Sequence, residues 1–81
     1  MLTVEYFDYL EEKETALRTQ IRNNIGLNEL LKSDDTFDRT LLAQCGPIKY
    51  AKKLFQDEDP IVRSEAKKRI NNLKLIIKKH N

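Results

Sequence analysis

The chain has 81 residues, 35% charged and 40% hydrophobic, with a formal net charge of +2. That length sets one domain with a small core, and the single cysteine, Cys45, excludes both an intramolecular disulfide and a four-thiolate zinc site. A reducing intracellular compartment fits this cysteine usage, no apolar run approaches the roughly 18 residues needed to span a membrane, and the N-terminus lacks a secretory signal's basic-then-apolar order.

Thr3 is placed to cap a first helix in which Tyr6, Phe7, Leu10, Leu17 and Ile21 share one side, with Glu14 and Arg18 spaced for an i,i+4 ion pair. This helix should run to about Asn23. Asn24 and Gly26 then weaken it, and Leu27, Leu30 and Leu31 resume the apolar pattern. Residues 1–32 therefore form either a bent helix or a helical hairpin. Ser33, Asp34, Asp35 and Thr36 make a loop and helix start, with Asp35 or Asp38 as the cap of a short segment carrying Leu41 and Leu42. Gly46 ends that segment and Pro47 opens the next, where Ile48, Ala51, Leu54 and Phe55 give an apolar stripe. Lys49 and Lys53 point away from it, and Tyr50 is expected near the rim.

Asp57, Glu58 and Asp59 lead into the last and clearest element. Asp59 stands at an N-cap position and Pro60 at the first helical position, where its missing N–H costs nothing. At 100° per residue Val62, Ala66, Ile70, Leu73 and Ile77 fall on one stripe, with Ile76 at its edge, so burial along five turns is expected. Arg63, Lys67, Lys74 and Lys78 line up beyond it. Residues 1–60 hold eight Lys/Arg and twelve Asp/Glu, whereas the final 21 hold seven Lys/Arg against Glu65 alone. Such bipolarity can steer an acidic partner onto one face, or hold the basic helix against the chain's own acids. No alternating strand pattern occurs. The expected fold is all-α, a compact bundle of four or five helices in one domain over residues 1–81.

Catalysis is not expected. The only histidine, His80, is penultimate, and Cys45 has no neighbouring base and sits at the end of a short helix, where a small buried apolar role suits it. The acids at 34–35 and 57–59 lack the spacing of a calcium loop, so neither metal nor cofactor is expected.

From Phe37 onward the chain resembles the N-terminal domain of transcription elongation factor S-II, a helical module shared with elongin A, a Mediator subunit and the Spn/Iws elongation proteins. Phe37 and Asp38 stand for the family's apolar residue and its cap. Leu41 to Gly46 follow at the family spacing, with Cys45 where Thr is usual. Ala51 and Leu54 fall at the Val and Leu positions, and Ala66, Lys67, Lys68, Ile70, Leu73 and Lys74 match the last helix without a gap. Leu73 replaces the signature Trp and Pro47-Ile48 the Ile-Gly step, while the first helix does not align. A shorter run, Asp57 to Pro60 with Val62, Arg63 and Ala66, is similar to the turn and second-helix start of HEAT-type repeats, of which one copy is too few for a solenoid.

The resemblance implies a nuclear protein-interaction module acting in transcription or elongation, which binds short acidic, partly apolar segments of disordered partners. On this reading Lys49, Lys53, Arg63, Lys67 and Lys74 steer the partner, and Tyr50 and Leu75 anchor it. Leu75 lies about 180° from the middle of the buried stripe, where an isolated domain exposes it. The rival reading is a nucleic-acid-binding protein that uses the same basic helix on phosphates. A monomer is expected, and a helical oligomer through Leu75, Tyr6 and Tyr9 is the third reading.

Overall fold

The computed structural model describes the backbone of residues 4–79 and the side chains of residues 4–75. Within them the fold is all-α, with five helices: α1 (Val4–Arg22), α2 (Leu27–Leu31), α3 (Thr36–Cys45), α4 (Ile48–Leu54) and α5 (Pro60–Lys79). Thr3, proposed as the cap of α1, and His80 lie outside the described residues, as do the side chains of Ile76, Ile77 and Lys78.

Each boundary has a local cause. After α1, Asn24 (φ 58°) and Gly26 (φ 62°) both adopt the left-handed region, which turns the chain sharply. The Gln20 amide donates to the Ile25 carbonyl at 2.9 Å and holds the turn. Within residues 4–32, α1 and α2 are separate helices joined by this turn, each packed on α3. Asp35 caps α3, its Oδ1 accepting from the Phe37 N–H at 3.0 Å. Asp38, the alternative cap, sits in the first turn and accepts from the Ser33 hydroxyl at 2.8 Å. Gly46 closes α3 by donating its N–H to Leu42 O at 2.9 Å. A Cβ at Gly46 would lie 2.7 Å from that same oxygen, so the close approach requires glycine. At α5, Asp59 Oδ1 accepts from Ile61 N at 2.8 Å and from Val62 N at 3.3 Å, the cap and Pro60 start that the sequence indicates.

The core centres on α3, against which α1, α2, α4 and α5 all pack. Leu41, Leu42 and Ala43 of α3 meet Leu17 and Ile21 of α1, Leu27 and Leu30 of α2, Tyr50 and Leu54 of α4, and Val62 and Ala66 of α5. Each large aliphatic buried this way stabilises the fold by about 1.5–3 kcal/mol relative to exposure. The buried pair Arg39–Asp57, 2.9 Å from Nε to Oδ2, ties α3 to the loop before α5. Arg39 also donates to the Ser33 carbonyl, so one guanidinium joins three segments.

The long helices outrun this core. Ten residues of α3 and seven of α4 rise about 15 and 10 Å, against about 30 Å for the twenty of α5. The expected five-turn stripe is therefore buried only at its start. Val62 and Ala66 are fully buried, Ile70 is half-buried, and Leu73 is 39% exposed. The same limit holds for α1. Leu17 and Ile21 are buried, whereas Tyr6 and Phe7, on the same side of the helix, are exposed. The molecule is accordingly elongated, with extents of 47 × 26 × 24 Å.

One surface contact reports on pH. Lys13 and Asp35 form an ion pair, and the Lys13 hydrogen bond, with the Phe37 N–H second, holds the Asp35 carboxyl below its ordinary range. A depressed folded-state pKa contributes stability above the unfolded pKa, and that stability is lost as pH falls through the folded value. Asp35→Asn keeps a side chain able to cap α3 but removes the titration. Its thermal midpoint is expected to fall less between neutral and acidic pH than that of the parent chain, with a modest difference because Asp35 is 44% exposed.

Candidate functional site

Seven residues carried the sequence-based expectation of a partner surface, and the fold sorts them into three groups. Lys49, Tyr50 and Lys53 lie together on α4. Tyr50 is not at the rim: it is 5% exposed, and its hydroxyl donates to Asn28 Oδ1 of α2 at 3.0 Å. The α4 stripe runs through positions 50, 51 and 54, and α2 supplies the polar partner that a buried phenol needs. Tyr50 therefore belongs to the core and does not offer an open anchor. Lys49 and Lys53 remain exposed, with ammonium groups 5.2 and 5.7 Å from the Tyr50 ring centroid.

The second group is Arg63 and Lys67 on α5. Arg63 is half-buried, and its Nη1 donates to the carbonyls of Asp57 and Glu58 at 2.7 and 3.1 Å, fastening the loop that precedes its own helix. Lys67 is exposed, and its ammonium lies 5.3 Å from the centroid of Phe55, at the end of α4. Phe55 was expected in the α4 stripe. It follows the last helical residue and is 40% exposed, whereas Leu54 beside it is buried. Pro60, Arg63, Ser64, Lys67, Lys68 and Asn71 line a shallow concavity on this side.

Lys74 and Leu75 form the third group, two turns further along α5. Both are exposed, Leu75 at 57% as its position opposite the stripe requires. Arg69 is spent internally, with Nη1 donating to Ala43 O near the end of α3 at 3.1 Å, and Lys68 pairs with Glu65 at 3.3 Å. The basic helix is thus partly a structural strap, with Arg63 and Arg69 holding carbonyls and Lys67 and Lys74 directed to solvent.

Cys45 departs from its expected buried state. It is half-buried, and the Arg18 guanidinium donates to Sγ at 2.8 Å. Arg18 also binds Glu14 at 2.8 Å, the i,i+4 pair legible in the sequence, and that bond raises the Arg18 pKa above its ordinary value. Among the described residues no group of three or more His, Cys, Asp or Glu is placed to hold a metal, and no helix is long and apolar enough to cross a membrane.

Sequence reasoning missed Phe55 as a surface aromatic. Its signal was present in the separation of Phe55 and Lys67, which the acidic bend at 57–59 folds back toward each other. No protein-family model matches the chain, and no curated protein and no solved structure matches it either.

Proposed function

We propose that this protein is a non-enzymatic interaction module that takes a short acidic segment bearing an apolar anchor on the face formed by Phe55, Arg63 and Lys67. The observation that carries this reading is the Lys67 ammonium 5.3 Å from an aromatic ring that is itself 40% open to solvent. A half-exposed ring beneath a cation offers an apolar contact and a charge within one side-chain length, the pairing that an acidic, partly apolar segment requires. Lys49 and Lys53 on α4 and Lys74 on α5 widen the positive field, and Leu75 adds an apolar contact beyond the patch. The fold supports the same division of labour, since the arginines are fastened to carbonyls and the lysines face outward. With the resemblance to the elongation-factor domain, the proposed setting is nuclear transcription, and the partner a disordered segment that orders on binding.

The test is a titration of a labelled acidic peptide with one central Phe or Leu, alongside single-stranded and duplex DNA. Saturable peptide binding is expected, weakened by at least about tenfold in Lys67→Glu, which corresponds to roughly 1.4 kcal/mol. Strongly salt-dependent DNA binding with no peptide binding would replace this reading with the nucleic-acid one.

A further inference from the structure

The two overhanging helix ends lie at opposite ends of the molecule. Lys13 of α1 reaches Asp35 and the Phe37 ring at the start of α3, and Arg18 reaches Cys45 at its end, so α1 rises in the same sense as α3. α5 does likewise. Arg63 holds the loop around Asp57, which pairs with Arg39 in the first half of α3, and Arg69 reaches Ala43 near its end. The first two turns of α1 therefore project past the beginning of α3, and the turns of α5 after Arg69 project past its end. The 47 Å long axis is what two such overhangs, each about 13–15 Å at 1.5 Å per residue, add to the core.

Each overhang continues a stripe that was buried further in. On α1, Phe7 (55% exposed) and half-buried Leu10 continue the side of Leu17 and Ile21; on α5, Leu73 (39% exposed) continues the side of Val62 and Ala66. The flanking charges are opposite. Residues 4–12 carry four acids, Glu5, Asp8, Glu11 and Glu12, and no base, whereas the turns after Arg69, residues 70–79, carry three bases, Lys74, Lys78 and Lys79, and no acid.

The geometry points to a second copy of this chain as the occupant: the α1 overhang of one molecule laps the α5 overhang of the next, head to tail. Phe7 and Leu10 then meet Leu73 across the joint, with Glu11 beside Lys74. Pairing like ends would set four acids against four, or three bases against three, so charge selects the heterologous contact. Such a contact leaves one end of each type open and extends by addition of further copies. It uses the α5 turns beyond Arg69 and shares Lys74 with the wider positive field, but it does not require Phe55, so Phe55 separates it from the peptide site proposed above.

Sedimentation of the full chain from micromolar to millimolar concentration tests this. Average mass is expected to rise with concentration and to fall back when salt is raised. Phe7→Asp and Leu73→Asp, both at exposed positions and checked for helicity by circular dichroism, should each sediment as a monomer. An equimolar mixture of the two should give a heterodimer and stop there, because each variant keeps one intact end. Phe55→Ser should associate like the parent chain while losing peptide binding, which separates the two proposals. A parent chain that stays monomeric throughout, or a mixture of the two variants that does, would overturn the head-to-tail contact.

Discussion

Arg39→Ala is expected to destabilise the fold by about 3–5 kcal/mol, the usual cost of removing one member of a buried ion pair and leaving the other charge in place. The Arg39 and Asp57 side chains are each 8% exposed, and the guanidinium binds both carboxylate oxygens, at 2.9 and 3.3 Å. The bond to Asp57 also holds the Arg39 pKa above its ordinary value. Without Arg39, Asp57 keeps only the Asp59 N–H, at 2.9 Å, among the polar contacts described for its carboxylate, and the Ser33 carbonyl loses its donor. A domain of this size has about 4–12 kcal/mol in total at 0.05–0.15 kcal/mol per residue, so the variant should be marginal or unfolded at room temperature. Adding Asp57→Asn to Arg39→Met should recover much of the loss, because a neutral amide still accepts from Asp59 N and leaves no unpaired charge. Urea unfolding of the two variants measures both. A loss below about 1 kcal/mol for Arg39→Ala would place the pair in the class of solvent-screened surface contacts.

Leu42→Ala and Leu73→Ala form the second test, of where the core stops. Leu42 is fully buried at the centre of α3, and its truncation should cost about 2–5 kcal/mol through lost transfer energy and a residual cavity. Leu73 occupies an equally apolar position of the α5 period but is 39% exposed, so its truncation should fall within about 0.5 kcal/mol. Equal losses at the two sites would mean that α5 is wedged along its whole length.

The features legible in the sequence were those with local causes. The Asp59 cap and Pro60 start of α5, the Gly46–Pro47 junction and the Glu14–Arg18 pair each depend on residues within a turn of one another, and each is found. Arg39 was not recognised as a core residue because its partner lies 18 positions away, and nothing local distinguishes it from a solvated arginine. Tyr50 sits at the edge of its stripe, and its inward turn depends on Asn28 of α2, 22 positions earlier. The overhangs, by contrast, were within reach: a ten-residue α3 cannot cover a nineteen-residue α1 or a twenty-residue α5, and helix lengths are readable from periodicity and caps. That arithmetic turns the apolar ends of α1 and α5 outward.

The most direct test of the interaction face is chemical-shift mapping of the isotopically labelled chain with an acidic peptide carrying one aromatic or aliphatic anchor. The account predicts the largest changes at Phe55, Arg63, Lys67 and their immediate neighbours, with Tyr50 little affected. Changes concentrated on the acidic turns of α1, or a response to DNA but not to the peptide, would contradict it.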